Sequence, residues 1–122
     1  MIKRLLIFDD DKGVVNIMKF ILKEQGWEVF NSPHSNHPVE TVRSVEPSII
    51  IMDNNIPDYG GIYATQCIKA NQEFDHIPVI YFTAHSNIQE LAQEAGADSY
   101  LTKPFELYRL YELLNELSAS LT

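Results

Sequence analysis

The sequence predicts an α/β fold, doubly wound about a five-stranded parallel sheet with helices on both faces, and three observations predict it. Short apolar runs alternate with amphipathic helical patterns from one end of the chain to the other, as in stacked βαβ units. The first, third and fourth runs are nearly continuous in apolar residues, as strands covered on both faces are. Turn residues separate the units, with Gly26 and Gly96 at helix ends and Pro33, Pro38, Pro47 and Pro78 in the connections.

Strands are expected at Arg4 to Phe8, Trp27 to Asn31, Ser48 to Met52, Val79 to Phe82 and Ser99 to Leu101. Between them, apolar residues recur at helical spacing: Val14, Ile17, Met18, Ile21 and Leu22; Val39, Val42 and Val45; then Ile62, Thr65 and Ile68. Ser86 with Gln89 three residues on has the form of a capping box, opening a helix that turns Ile88, Leu91, Ala92 and Ala95 inward and stops at Gly96. The last helix is expected from about Phe105, with Leu107, Leu110, Leu114, Leu117 and Leu121 along one stripe. At 122 residues, with no internal repeat, low-complexity tract or linker, the chain reads as one domain over 1–122.

Composition narrows the function. A net charge of −8, with nine Lys and Arg scattered along the chain, repels phosphate backbones and argues against direct nucleic acid binding. No apolar run approaches the roughly twenty residues that span a membrane, and the N-terminal run Leu5 to Phe8 is too short for a signal peptide. The single cysteine, Cys67, rules out an internal disulfide framework, fits a buried small hydrophobe and suggests a reducing compartment, so a cytoplasmic location is expected.

In an open α/β sheet, ligands bind beyond the carboxyl ends of the strands, beside the point where strand order reverses. The first strand runs into Asp9-Asp10-Asp11, the third into Asp53, the fourth into Thr83-Ala84, and the fifth through Thr102 into Lys103-Pro104. If the strand order is 2-1-3-4-5, Asp9, Asp10 and Asp53 meet at the crevice. Carboxylates side by side oppose one another's ionisation unless a cation intervenes. Oxygen ligands with no His or Cys among them favour Mg²⁺, or Mn²⁺ in its place, and Mg²⁺ takes few carboxylates plus a substrate phosphate. Such an ion would draw a phosphoryl donor toward Asp53, with Lys103 as a point charge and the Thr83 hydroxyl as a hydrogen-bond donor. Asp53 then has the chemistry of a carboxylate nucleophile that forms an acyl phosphate. Asp11 fits a helix N-cap better than a metal ligand. His34, His37, His76 and His85 have no metal-ligand spacing.

The segments Leu5-Leu6-Ile7-Phe8-Asp9-Asp10-Asp11, Ile49-Ile50-Ile51-Met52-Asp53-Asn54-Asn55-Ile56-Pro57, Pro78-Val79-Ile80-Tyr81-Phe82-Thr83-Ala84 and Tyr100-Leu101-Thr102-Lys103-Pro104-Phe105 resemble the receiver domains of response regulators, over essentially the whole chain. The resemblance implies the flavodoxin-like (βα)5 fold. It makes Asp53 the phosphoacceptor, with Mg²⁺ held by Asp9, Asp10, Asp53 and the backbone carbonyl of Asn55. Thr83 and Lys103 become the switch hydroxyl and the phosphate-binding lysine, Tyr100 the aromatic that changes rotamer, and Lys103-Pro104 a cis peptide. The donor would be a phosphohistidine on a histidine kinase or histidine phosphotransfer protein. The fourth helix, fifth strand and fifth helix would form the face for a homodimer or a target, competing with simple half-buried packing of Tyr100, Tyr108 and Tyr111.

Two positions depart from or vary within the pattern. Gly60-Gly61 stands where the family usually has an aspartate before the glycine, and added backbone freedom is expected to loosen that loop. His85, two residues after Thr83, together with Asn55 would set how fast water reaches the phospho-aspartate. Two other functions fit less well. A phosphatase with an aspartate nucleophile usually carries a second acid two residues on, where Asn55 stands. An FMN binder wants a Ser-, Thr- and Gly-rich loop after the first strand, where three aspartates would repel the phosphate. Both a stand-alone receiver and a domain of a longer regulator are compatible with the chain.

Overall fold

A computed structural model describes residues 3–119. The elements follow in the order β1 (Arg4–Phe8), α1 (Lys12–Lys23), β2 (Glu28–Ser32), α2 (Pro38–Val45), β3 (Ile49–Asp53), α3 (Gly60–Ala70), β4 (Val79–Thr83), α4 (Ile88–Ala95), β5 (Ser99–Thr102) and α5 (Leu107–Ala119). All strand pairs are parallel and the sheet order is β2-β1-β3-β4-β5, the flavodoxin-like arrangement.

The alternation of side chains along each strand divides the core in two. Leu5, Ile7, Ile49, Ile51, Ile80, Phe82 and Leu101 face Val15, Met18 and Leu22 of α1 and Leu110, Leu113 and Leu114 of α5. Leu6, Phe8, Ile50, Met52, Val79 and Tyr81 face Val42 of α2, Ala64 and Ile68 of α3, and Ala92 and Ala95 of α4. Every residue of β3 and β4 is buried, which is why those strands read as unbroken apolar runs. Each fully buried Ile or Leu contributes about 1.5–3 kcal/mol through removal from water.

Several boundaries differ from expectation. β2 runs one residue later than its apolar start suggested: Trp27 lies outside the strand and is buried against the α1 layer, whereas Ser32 still pairs with Phe8. On α1 the inward residue is Val15, and Ile17 is exposed, because the stripe is centred on Met18 and Leu22. The Ser86–Gln89 capping box does not form. Asn87 is the N-cap of α4 without a side-chain capping bond, and the helix starts at Ile88. α5 starts at Leu107, after Phe105 has packed on the core beside Phe82. Leu107 is exposed, Leu113 is buried, and Leu121 lies outside the described residues. Gly26 and Gly96 hold φ of +86° and +81° just past α1 and α4, a conformation that suits glycine.

Candidate functional site

Because β2 and β4 extend to opposite sides of the adjacent pair β1 and β3, the crevice at their carboxyl ends is the switch point of the sheet. Phe8 pairs with Met52, so the residues that follow, Asp9 and Asp53, leave the two strands side by side. Thr83 pairs with Thr102, which places Lys103 next to the end of β4, and the Lys103 N–H donates to the Thr83 carbonyl at 3.0 Å. The register that buries the apolar residues therefore delivers the polar ones to one edge.

Asp9, Asp10 and Asp53 each present a carboxylate oxygen within 4.8 Å of the others. Asp9 and Asp53 are only 1% and 4% exposed, whereas Asp10 is open to solvent. Lys103 Nζ donates to Asp9 Oδ2 at 3.0 Å and to Asp53 Oδ1 at 3.2 Å, and it lies 4.7 Å from the centre of the Phe82 ring. Burial, and next the charge of Asp9, push the Asp53 carboxyl above its ordinary value against the pull of Lys103. Burial opposes charge on Lys103 as well, but the Asp9 hydrogen bond and the charges of Asp53 and Asp9 outweigh it and raise the ammonium. Three carboxylates against one ammonium leave two negative charges unbalanced. An all-oxygen donor set with that deficit fits a divalent hard cation.

Asp53, Asn55, Thr83, Ala84, His85 and Lys103 line a cleft of about 310 Å³ above the carboxylates. The Thr83 hydroxyl is buried and accepts from the His85 N–H at 3.3 Å. Asp11 is the N-cap of α1, accepting from the Gly13 and Val14 N–H groups at 2.9 and 3.3 Å, while its own N–H donates to Asp9 Oδ1 at 2.9 Å. Tyr100 is not part of the cleft. It lies on β5, 38% exposed, over a separate hollow lined by Gln89, Gln93 and Asp98. The Lys103-Pro104 peptide is cis. His34 pairs with Asp58 at 3.4 Å, away from the cleft.

The loop between β3 and α3 is hydrogen-bonded at both of its glycines. The Gly60 and Gly61 N–H groups donate to the carbonyls of Ile56 and Asn54 at 3.1 and 3.0 Å. Ser35, fully buried, donates from both its N–H and its hydroxyl to the Pro57 carbonyl, and its Oγ accepts from the Tyr59 N–H at 2.7 Å. Gly60 does use its freedom, at φ +85°, but Gly61 is needed for closeness: a Cβ there would lie 2.4 Å from the Asp53 carbonyl oxygen.

Sequence reasoning missed three braces of the site. One is Ser35. The second is Asn31, whose Nδ2 donates to the Ile7 and Asp9 carbonyls at 3.0 and 2.9 Å and pins the end of β1. The third is Tyr81, whose hydroxyl donates to the Asn54 side chain. A tyrosine inside an otherwise apolar buried strand is a signal for the last, since a buried hydroxyl seeks a partner.

Doubly wound topology and an acidic cleft bridged by a lysine are the marks of a phosphoryl-accepting switch, and the comparisons with known proteins agree. Residues 5–115 match the family model of the response regulator receiver domain, and the chain belongs to that family. It is thus a receiver domain of two-component signalling, a switch that accepts a phosphoryl group on aspartate and not a conventional enzyme. It is similar to a protein described as a response regulator from Chloroflexus aurantiacus J-10-fl, with a TM-score of 0.87 at 27% identity, covering 97% of this chain and 99% of that one. The signal receiver domain of a signal transduction histidine kinase from Syntrophus aciditrophicus gives 0.87 at 25% identity, over 97% and 91%. The receiver domain of a sensor histidine kinase from Pseudomonas aeruginosa PAO1, with a magnesium ion coordinated in its active site cleft, gives 0.85 at 25% identity, over 94% and 96%. Among the described residues, no helix is long and apolar enough to cross a membrane.

Proposed function

We propose that Asp53 is the phosphoacceptor, taking the phosphoryl group of a phosphohistidine on a histidine kinase or histidine phosphotransfer protein. An Asp53 oxygen forms the new P–O bond, the N–P bond breaks, and the imidazole leaves with the electron pair. The observation that carries this reading is the Lys103 ammonium bridging Asp9 and Asp53 at the floor of an acidic cleft. Asp9, Asp10, Asp53 and the backbone carbonyl of Asn55 would hold Mg²⁺ or Mn²⁺, which supplies charge compensation for the incoming phosphoryl group. The magnesium in the cleft of the Pseudomonas aeruginosa relative supports the same ion here. Lys103, freed from a carboxylate, pairs with a phosphoryl oxygen, and the Thr83 hydroxyl turns to donate to another.

Movement of Thr83 is read out on the surface through Tyr100, which turns inward from its exposed position on β5. The face of α4, β5 and α5 then changes for a target or a second copy. Tyr100, Leu107 and Tyr108 leave large apolar area exposed there, Tyr108 at 76%, which supports a docking role. The proposed setting is the cytoplasm.

Intact mass after incubation with acetyl phosphate and Mg²⁺ tests the core of this reading. The expected result is a gain of one phosphoryl group, about 80 Da, that is lost in Asp53→Asn and in EDTA. No adduct, with beryllofluoride also failing to bind, would overturn it.

A further inference from the structure

Tyr81 is fully buried in the α2, α3 and α4 layer among Met52, Ala64 and Val79, yet its hydroxyl donates to Asn54 Oδ1 at 2.5 Å. Asn54 Nδ2 in turn donates to Asn55 Oδ1 at 3.2 Å. Asn55 lines the cleft beside Asp53, Thr83, His85 and Lys103. A carboxamide has one acceptor end and one donor end. The bond from Asn54 engages one lone pair of the Asn55 oxygen and so fixes how this carboxamide is turned.

We propose that Tyr81 is a positioning residue that lengthens the life of the acyl phosphate: through Asn54 it holds Asn55 as a hydrogen-bond donor to the phosphoryl group and keeps the carboxamide oxygen from orienting water. The proposal rests on Asp53 being the phosphoacceptor. In the hydrolysis it restrains, the water oxygen forms a P–O bond and the P–O bond to Asp53 breaks. Asp53 keeps the electron pair as carboxylate, and the protons of water leave with inorganic phosphate and to solvent. An acceptor beside the cleft would orient that water, whereas a donor binds the phosphoryl oxygen instead.

Two further observations support the relay. A Cβ on Gly61 would lie 3.0 Å from the Tyr81 hydroxyl, so the first turn of α3 closes over the phenol. Burial, and then the charge of Asp53, keep that phenol protonated and able to donate.

Tyr81→Phe removes the hydroxyl alone. Two readouts on the full chain test it: the Asn55 side-chain amide signals in ¹H–¹⁵N spectra, assigned through their loss in Asn55→Ala, and the decay of the adduct after acetyl phosphate is removed. The Asn55 signals should shift in Tyr81→Phe, and the adduct should decay about three- to tenfold faster, the effect of one hydrogen bond. In an Asn55→Ala background the Phe substitution should add nothing. Asn54→Ala, which keeps the Tyr81 ring in the core and removes only its hydroxyl's partner, should reproduce the faster decay and keeps the test open if the Phe variant folds poorly. Unmoved Asn55 signals, an unchanged or slower decay, or an equal acceleration in the Asn55→Ala background would each overturn the proposal. Failure of the parent to form any adduct would overturn the phosphoacceptor reading and the lifetime role with it, while the amide signals alone still decide whether Tyr81 positions Asn55.

Discussion

A Cβ on Gly61 would sit 2.4 Å from the carbonyl oxygen of Asp53, so the first turn of α3 can close against the end of β3 only at glycine. Gly61→Ala must push α3 or the strand end aside. A loss of about 1–3 kcal/mol in urea denaturation is expected, with slower adduct formation because Asp53 itself is displaced. Gly96→Ala is the control: nothing lies within 4 Å of its Cβ, so only the left-handed backbone costs stability, about 1–2 kcal/mol, and the adduct should form at the parent rate. Equal adduct kinetics in both variants would show that α3 yields without moving Asp53.

Ionised Asp53 weakens the cation-free fold. Burial and Asp9 raise its carboxyl above the ordinary value of 3.8, so the folded chain binds that proton more tightly than the unfolded chain does. The destabilisation is absent below the ordinary value, grows as pH rises, and is complete above the raised folded value. Asp53→Asn removes it. In EDTA the variant should unfold at higher urea than the parent at neutral pH, and the gap should close as pH falls below the ordinary value. A gap independent of pH would mean that the gain has another source.

Lys103 competes with any divalent cation for Asp9 and Asp53, since its ammonium already occupies an oxygen of each. Lys103→Met should therefore bind Mg²⁺ about tenfold more tightly at low ionic strength, measured calorimetrically, and the gain should shrink as salt is added. The same variant should form the Asp53 adduct more slowly, because the phosphoryl group loses its ammonium partner. Weaker Mg²⁺ binding in the variant would contradict the competition.

Asp11 is separable from its two neighbours. It caps α1 through the Gly13 and Val14 N–H groups, so Asp11→Ala should cost about 1 kcal/mol of stability. Mg²⁺ affinity should change little, whereas Asp10→Ala should lower it with little effect on the fold. If Asp11→Ala lowered the affinity as far as Asp10→Ala, Asp11 would belong to the cation site.

The topology and the gathering of Asp9, Asp53, Thr83 and Lys103 were legible because parallel strands covered on both sides must be apolar, and the polarity that follows each one marks its carboxyl end. Ser86 and Gln89 misled because a capping pattern is local and says nothing about where the chain leaves a tight loop; the N-cap is Asn87 and α4 starts one residue later than the pattern implies, at Ile88. Val15 and Ile17 lie on either side of Met18 around the helix, and only the packing of α1 on the sheet buries the first and leaves the second exposed. The braces Asn31, Ser35 and Tyr81 stayed hidden for a different reason. Each acts across 22 to 27 residues of chain on a partner fixed by the folded loops, so no spacing within the sequence announces it.

Consecutive residues of β4 look into opposite layers: Tyr81 toward α3 and Asn54, Phe82 toward α5 and the Lys103 ammonium. The signalling centre is therefore underwritten by two separate cores rather than one. Substitutions deep in either layer, remote from the cleft, are thus only one or two contacts from its lining. Hydrophobic repacking alone reaches the cleft from two sides while leaving every charged group in place.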